Sequence, residues 1–200
     1  MRPTPPRRRH SKKEFGTTLE AHHVRRVFAL DEARFGLKLR HRRRWCPFGA
    51  RPPWIHADQY KWFWLYVALE PTTGENVVLF LPHTDGICLE RFLQEVRRAV
   101  PEVPIALVLD GSGSHTSQQI RWPTGLQPVP LPRYSPELNP PERWFEELRK
   151  SLANRVFDTI AELETALTET LRRYWDNPAK LIQLTAFPWW QEAVRSITSS

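Results

Sequence analysis

The residues best suited to chemistry begin with Asp110, the carboxylate that ends the apolar run Ile105 to Leu109. This run is too short for a helix and is aliphatic throughout, which predicts a short strand covered on both faces. Gly111 and Gly113 follow it. We therefore expect Asp110 at the carboxyl end of a strand, the edge where ligands and catalytic groups collect in open α/β sheets. The alternative is a plain Asp-Gly turn, in which the carboxylate bonds its own backbone.

The second candidate is one of two adjacent acids, Asp31 and Glu32, which follow the apolar run from Val27 to Leu30. This run also predicts a short strand that ends in acid. Because side chains alternate between the two faces of a strand, Asp31 shares a face with Ala29, and Glu32 faces the other way. Only one of the two carboxylates can then point into a given site.

Glu142 is the third candidate, and it stands at the third position of a predicted helix. Asn139 is a favourable N-cap residue and Pro140 suits the first helical position. The apolar stripe that follows indicates an amphipathic helix and consists of Trp144, Phe145, Leu148 and Leu152. Glu142 also has a purely structural alternative, because a glutamate at this position can reach back to the backbone of Asn139 as in a capping box.

The remaining segments predict a mixed α/β domain. Aromatic and β-branched runs at 60–69 and 75–81 indicate a β-hairpin around a glycine-containing turn. Thr84 or Asp85 is expected to cap a helix with apolar residues at helical spacing. That helix crosses over to the strand before Asp110, so the sheet should contain both antiparallel and parallel strands.

The charge of the chain points to a polyanionic partner. The formal net charge is +7, and the cations concentrate in residues 2–13, where no acid occurs, and in residues 38–44. Nucleic acid is the usual partner of a basic domain of this kind, and phosphate contacts suit such runs. The alternative is that these segments are solvated charged loops.

The cysteines and the apolar runs exclude two other classes of protein. Cys46 and Cys88 form no disulfide framework and show no zinc-site spacing, which favours a reducing compartment. The start of the chain lacks the apolar segment of a signal peptide, and the longest apolar run, residues 62–69, is too short to span a bilayer. We therefore expect a cytoplasmic, nucleoid-associated protein without a membrane partner.

Three fragments together resemble the signature blocks of a known family. They are residues 30–36 (LDEARFG), residues 109–115 (LDGSGSH) and residues 131–144, which contain the run Tyr-Ser-Pro-Glu-Leu-Asn-Pro. These blocks are similar to those of the IS630 insertion-sequence transposases, related to the Tc1/mariner superfamily, over about residues 27–157. The resemblance implies a ribonuclease-H-like α/β fold, a mixed sheet with flanking helices.

The resemblance also implies the identity of the catalytic acids. Asp31, Asp110 and Glu142 match the two aspartates and the glutamate that hold the metal site of the family. The implied cofactor is a pair of Mg²⁺ ions, or Mn²⁺ in their place, and hard oxygen ligands suit these ions. Glu32 and Glu137 are the neighbouring acids that we expect to lie outside the site.

The implied activity is DNA transposition, in which metal-dependent cleavage of the transposon ends precedes transfer of the freed 3′-hydroxyl into target DNA. Double-stranded DNA is the expected partner, and the active enzyme is expected to be a homodimer. The residues expected to contact DNA or brace the site are Arg34, Arg42, Arg43, Arg44, Arg51 and His115.

One departure concerns the amino-terminal region. Transposases of this family carry a helix-turn-helix region there, and the residues before Val27 are too few to form one. This indicates the catalytic part of a transposase, served by a helix-turn-helix protein encoded upstream or fused by a frameshift. We expect a flexible basic arm at 1–24, the catalytic domain at 25–176 and a C-terminal extension at 177–200.

Two alternatives remain open for the function. One is an inactive DNA-binding remnant of a transposase, and the other is a ribonuclease-H-like nuclease of DNA repair. A repair nuclease would cut DNA without joining the cleaved ends to a second DNA, whereas a remnant would only bind.

Overall fold

The computed structural model describes residues 15–17, 19, 24–38, 47–49, 59–101, 104–110, 120–131 and 139–198. The strands are β1 (Arg26–Gly36), β2 (Trp62–Leu69), β3 (Asn76–Leu81), β4 (Ile105–Leu109) and β5 (Leu126–Pro130). The helices that follow β3 are α1 (Gly86–Ala99), α2 (Pro140–Leu152), α3 (Ile160–Trp175), α4 (Pro178–Thr185) and α5 (Pro188–Thr198).

The strands form one mixed sheet in the order β3-β2-β1-β4-β5. β1, β2 and β3 pair antiparallel, whereas β1, β4 and β5 pair in parallel. α1 makes the connection from β3 at one edge to β4 beside β1, as a crossover to a parallel strand requires. The predicted mixed sheet with a crossover helix is confirmed.

β1 is longer than the sequence predicts. The apolar run before Asp31 predicts a strand that ends at the acidic pair, but β1 continues to Gly36. Its second half pairs with β2 as far as Gly36 and Trp62, and it buries Ala33 and Phe35. The parallel pairing with β4, by contrast, ends four residues into β1. Asp31 is therefore inside the strand but just past the end of its pairing with β4.

The turn of the β2–β3 hairpin is tied to the start of β1. The guanidinium of Arg26 donates to the carboxylates of Glu70 and Glu75, each at 2.5 Å. Burial lowers the pKa of Arg26, but its hydrogen bonds to the two glutamates and their negative charges outweigh this effect and raise the pKa above its ordinary value. Glu70 is itself buried and also accepts from the hydroxyl of Thr73 at 2.7 Å. This network fixes the hairpin against the sheet.

α1 covers one face of the sheet. Asp85 is its N-cap, and the Asp85 carboxylate accepts from the backbone N–H of Cys88 at 2.8 Å, the bond that lowers the pKa of Asp85. The predicted apolar stripe of this helix is buried against Phe28 and Leu30 of β1. Its buried members are Cys88, Leu89, Phe92, Leu93 and Val96.

α2 to α5 cover the opposite face, where two apolar clusters form. One joins β1 and β2 to α2 and α3, and includes Phe35, Leu65, Trp144, Phe145, Leu148, Leu163, Leu167 and Leu171. The other joins β1, β4 and β5 to α5, and includes Val27, Ala29, Ala106, Val108, Val129 and Trp190. No helix in the described part of the chain combines the length and apolar character needed to cross a bilayer.

The predicted basic arm, residues 1–24, is described only at residues 15–17, 19 and 24. Phe15 and Leu19 are buried there, and the rings of Phe15 and Trp190 lie 5.3 Å apart. These two residues of the predicted arm therefore pack in the core, where α5 supplies their partners from the far end of the chain. In the predicted C-terminal extension, Leu181 and Trp190 are likewise fully buried.

Gly74 shows how closely the hairpin turn approaches α4. Its φ is +75°, and a Cβ added there would lie 2.7 Å from the carbonyl oxygen of Pro178. We expect Gly74→Ala to lower the free energy of unfolding by about 1–3 kcal/mol more than Gly49→Ala, because only Gly74 adds a steric clash to the strain of a left-handed backbone.

Gly49 is the matched control, since its φ is +80° and an added Cβ would meet no atom of the described residues within 4 Å. Chemical denaturation followed by circular dichroism measures both variants. Equal destabilisation of the two proteins would contradict a tight contact between the turn and α4.

Candidate active site

The pairing of β1 with β4 places two of the predicted acids side by side. Ala29 pairs with Val108 in the parallel ladder, and Asp31 and Asp110 each lie two residues further along their strands. Neighbouring strands lie about 4.8 Å apart, so the two aspartates meet at the same level of the sheet. They lie on adjacent strands just past the end of the β1–β4 pairing, with Asp31 inside β1 and Asp110 directly after β4.

The alternation of side chains puts both aspartates on the face covered by α2 to α5. Ala29 and Val108 belong to the cluster on that face. Asp31 and Asp110 follow them by two residues and therefore share their face. Asp31 is 9% exposed, whereas Asp110 lies at the surface. The two aspartates thus span the boundary between the core and the solvent.

Glu32 belongs to the other side of the sheet. It pairs across the sheet with Tyr66, a residue of the α1 cluster. Burial, followed by the charges of Glu32, Cys88 and Asp85, raises the pKa of the Tyr66 hydroxyl. The hydroxyl donates to the carbonyl of His83 at 3.0 Å. Glu32 therefore acts on the α1 face, although its backbone N–H donates to the Asp31 carboxylate at 2.9 Å.

α2 carries Glu142 towards the part of the sheet that bears Asp31 and Asp110, which we call the acidic edge. The helix buries Trp144, Phe145 and Leu148 against β1 and β2, and Glu142 lies in its first turn, half-buried at the margin of that contact. Among the charged groups of the described residues, Glu142 has the largest effect on the pKa of Asp31. The fold therefore brings a residue 111 positions along the chain from Asp31 into its electrostatic reach.

The electrostatics of this edge are those of crowded like charges. Burial raises the pKa of Asp31 well above its ordinary value, and the charges of Glu142, Glu32 and Asp110 raise it further. The hydrogen bond from the backbone of Glu32 opposes these effects but does not cancel them. The described surroundings of Asp31 thus hold an acidic cluster that favours a bound cation.

The donor set fits a hard divalent cation in its chemistry. Asp31, Asp110 and Glu142 offer carboxylate oxygens, the ligands that Mg²⁺ and Mn²⁺ prefer. Glu142 and Asp110 each act electrostatically on Asp31, but the described residues contain no group of three acidic, histidine or cysteine side chains already arranged around one point. Coordination of one ion by all three would therefore need these side chains to move closer together.

Asn139 plays a part that the sequence does not reveal. It occupies the predicted N-cap position of α2, but its side chain makes no capping hydrogen bond. Its amide nitrogen instead lies 3.5 Å from the carbonyl oxygen of Leu30, just past the end of the β1–β4 pairing. Asn139 is 3% exposed. It thus connects the helix that carries Glu142 to the residue before Asp31.

The capping alternative for Glu142 is not what the structure shows. The hydrogen bond between the two residues joins the Glu142 backbone N–H to the Asn139 carbonyl oxygen at 3.2 Å. Within the described residues, the Glu142 carboxylate makes no hydrogen bond to the Asn139 backbone. A true capping pair occurs at α3, where Thr159 accepts from the backbone of Glu162 at 3.2 Å.

Of the residues predicted to contact DNA, only Arg34 is described. Its guanidinium lies over the Trp62 ring, 5.5 Å from the centroid. The others, Arg42, Arg43, Arg44, Arg51 and His115, lie outside the described residues, as does Glu137. Their predicted roles stay predictions.

Further cations lie around the end of β1, and their positions in the sequence do not predict that they belong to a site. Arg149 and Arg155 line one cleft there together with Lys38. Their guanidinium groups lie over the rings of Phe35 and Phe157, at 5.7 and 5.0 Å. The signal in the sequence is weak, because these arginines are separated from β1 by more than a hundred residues and look like ordinary charges on a helix and its following loop.

The class of the protein follows from a match of its sequence to a known family. The family model of the DDE superfamily endonucleases matches residues 26–164, a stretch that includes Asp31, Asp110 and Glu142. The chain belongs to this family. A relative, the uncharacterized protein y4pE/y4sA of Sinorhizobium fredii, is 29% identical over 130 residues, which are 64% of this chain and 96% of that protein.

Solved structures of the Mos1 transposase share the fold. A pre-cleavage Mos1 transpososome matches 98% of this chain at 17% identity and a TM-score of 0.61. A Mos1 mariner paired end complex with Mn matches 98% at 18% identity and a TM-score of 0.59. The chain spans 64% of the length of each. The likeness establishes the ribonuclease-H-like fold that the sequence predicts.

Removal of the Asn139 side chain should weaken the link between α2 and β1. We expect Asn139→Ala to lower the free energy of unfolding by about 1 kcal/mol, because a buried contact from the Asn139 amide to the Leu30 carbonyl is lost. Thermal and urea unfolding followed by circular dichroism measure the change.

Asn177→Ala is the matched control. Asn177 is also an N-cap residue before a proline and also makes no side-chain capping bond, but it is exposed. Its replacement should change stability by less than about 0.5 kcal/mol, as for a surface substitution. If the two variants unfold alike, the contact between Asn139 and Leu30 contributes nothing.

Proposed function

We propose that this chain is the catalytic part of an IS630-type transposase, which cleaves DNA at transposon ends and joins the freed 3′-hydroxyl to target DNA. The observation that supports the proposal is that Glu142 and Asp110 both act electrostatically on Asp31, just past the end of the β1–β4 pairing and within a DDE superfamily endonuclease domain. Acids placed close together repel a DNA backbone unless cations are bound. In an endonuclease of this family, we propose that these acids are present to bind the catalytic metal ions.

Each of the three carboxylates has its own proposed role as a ligand of divalent cations. Asp31 is buried and held by its strand, so it would be the rigid ligand, and Asp110, directly after β4, would bind the same ions from the exposed side. Glu142 would complete the site from α2. Two bound Mg²⁺ or Mn²⁺ ions would activate the attacking oxygen and stabilise the leaving oxygen of a phosphoryl displacement. That a Mos1 paired end complex contains Mn supports this choice of metal.

Both steps of the proposed reaction exchange one oxygen at phosphorus. In the first, water attacks a phosphodiester, the bond from phosphorus to the 3′-oxygen breaks, and that oxygen leaves as a 3′-hydroxyl. In the second, the 3′-hydroxyl attacks a phosphodiester of the target, and a new phosphodiester replaces the one that breaks. The same arrangement of carboxylates serves both steps, because only the nucleophile differs.

The cations of the chain would hold the DNA against the acidic edge. Among the described residues, three cations line the clefts at the end of β1, beyond the acids: Arg34, Lys38 and Arg155. Phosphate contacts of this kind fix the position of a duplex without reading its sequence. Double-stranded DNA is the proposed partner, and a homodimer would hold two ends together.

Selection of particular DNA ends is proposed to belong to a separate helix-turn-helix segment, encoded upstream or fused by a frameshift. Base reading usually needs a helix placed in the major groove. α1 to α4 each bury an apolar face on the sheet or on a neighbouring helix, and α2 also carries Glu142. These helices are therefore poorly placed to enter a groove.

Metal binding should be visible as a gain in stability. A ligand that binds only the folded state stabilises it by about 2.7 kcal/mol at a concentration 100 times its Kd. We expect Mn²⁺ to raise the Tm of the wild-type chain, and Glu142→Gln to lose most of that shift. Glu32→Gln removes the same charge from the other face of the sheet and should keep the shift.

Differential scanning calorimetry with and without Mn²⁺ measures this effect. An equal loss in Glu32→Gln and Glu142→Gln would show that the metal responds to general charge rather than to the proposed ligands. A wild-type Tm that Mn²⁺ does not change would overturn the metal assignment.

The reaction itself is tested with a supercoiled plasmid and a labelled duplex that ends in a 3′-hydroxyl. The wild-type chain with Mn²⁺ should nick the plasmid and join the labelled end to it. Asp110→Asn should reduce both products by about 100-fold or more, because it removes a ligand of the activating ions. Glu32→Gln should retain both, as the matched control.

Gel electrophoresis separates the possible outcomes. Nicking without joining would favour a repair nuclease over a transposase. Binding of DNA without either product would identify an inactive remnant, and unaltered activity in Asp110→Asn would refute the catalytic assignment.

A further inference from the structure

The α1 side of the end of β1 carries a second cleft, which is chemically unlike the acidic edge. Its volume is about 400 Å³. The described residues that line it are Arg34, Gly36, Lys38, Gln59, Tyr60, Lys61 and Trp62. They include three cations and two aromatic rings, and none of them is acidic. A cleft of this size admits a small organic ligand, and its charge selects an anion.

The sheet register places the cleft at the far end of the β1–β2 pair. Gly36 pairs with Trp62, the last pair of that ladder, and the backbone N–H of Leu37 then donates to the carbonyl of Lys61 at 3.0 Å. Arg34 lies three residues beyond Asp31, a distance of about 10 Å along a strand. The cleft is therefore close to the acidic edge but separate from it.

The two rings of the cleft do not serve the core. Tyr60 is 73% exposed and Trp62 is 48% exposed. Each is covered by a cation, Arg34 over Trp62 at 5.5 Å and Lys38 over Tyr60 at 5.3 Å from the ring centroid. A structural role would be to screen the stems of these cations, but this leaves large apolar surfaces in water. A flat π-surface between cations is the arrangement that binds nucleobases in single strands.

We propose that this cleft binds an unpaired nucleotide of a DNA strand, with its base stacked on Trp62 or Tyr60 and its phosphates held by Lys38 and Lys61. In a duplex, both faces of each base are covered by neighbouring bases, so an exposed ring finds no face to stack on. Cations alone would serve single strands and duplexes alike. The rings are therefore the feature that distinguishes the two forms of DNA.

This site goes beyond the proposed catalysis and needs none of the three acids. Its binding is measured in EDTA, where no divalent cation is available and no DNA is cut. Failure of the cleavage assay would leave this measurement intact, and the converse also holds.

The experiment is a fluorescence anisotropy titration of the whole 200-residue chain with a labelled single strand and with the duplex of the same length. Trp62→Ala should weaken single-strand binding by about 5- to 150-fold, the equivalent of about 1–3 kcal/mol per stacked base, and change duplex binding little. Trp62→Phe keeps a ring and should retain most of the affinity. Retention in Trp62→Phe also shows that the site remains folded.

Salt separates the role of the rings from that of the cations. Lys61→Ala should reduce the slope of log K against log salt by about 0.7 for the single strand, because one phosphate contact is lost. Trp62→Ala should leave that slope unchanged while it lowers the affinity.

Trp175→Ala is the control for the loss of an exposed tryptophan. Trp175 is 43% exposed at the end of α3, away from the cleft, and donates to Asn76 at 2.9 Å. Its replacement should leave single-strand binding unchanged. The proposal fails if Trp62→Ala binds the single strand as Trp175→Ala does, or if it weakens duplex and single strand equally.

Discussion

The parallel pairing of β1 with β4 is the constraint on which the rest of the site depends. Because Ala29 lies beside Val108, Asp31 and Asp110 leave adjacent strands at the same level of the sheet. A shift of one residue in either strand would turn one of the aspartates to the opposite face. The register is fixed by the cores on the two faces of these strands, where Val27, Ala29, Ala106 and Val108 are almost completely buried on one side. Packing far from the acids therefore decides whether they meet.

The acidic edge works against the stability of the domain. Asp31 is buried beside other acids, and both its burial and their charges disfavour its ionised form. The surrounding clusters compensate, since Trp144 and Phe145 of α2 are buried directly after the turn that carries Glu142. A rigid frame that holds like charges together is a usual feature of sites that bind cations, because the ion supplies the missing charge. We regard the strain of this edge as a property that the proposed metal would relieve.

The length of β1 connects the proposed metal site to the proposed nucleotide-binding cleft. β1 continues beyond its last pair with β4, which is formed by Ala29. Asn139 contacts the carbonyl of Leu30, the next residue of β1. The second half of β1, which pairs only with β2 in the described sheet, places Arg34 and Gly36 in the cleft that also contains Lys38, Lys61 and Trp62. One strand thus provides a ligand for the proposed metals and, about 10 Å further along, a surface suited to the nucleic acid. The acids and the cations are kept apart by this spacing, so that they do not neutralise one another.

The sequence by itself determined the elements whose signals are local. The aliphatic run before Asp110, the hairpin and the amphipathic stripes of α1, α2 and α3 follow from periodicity. N-cap preferences limited the start of α1 to Thr84 or Asp85, and the structure shows that Asp85 is the cap. The motifs around Asp31, Asp110 and Glu142 named the family, and alternation placed Glu32 on the other face. Tertiary structure alone decided the length of β1, the contact of Asn139 with Leu30 and the burial of Phe15 and Leu19. Each of these depends on a partner from a distant part of the chain, and a local pattern contains no information about where that partner will lie.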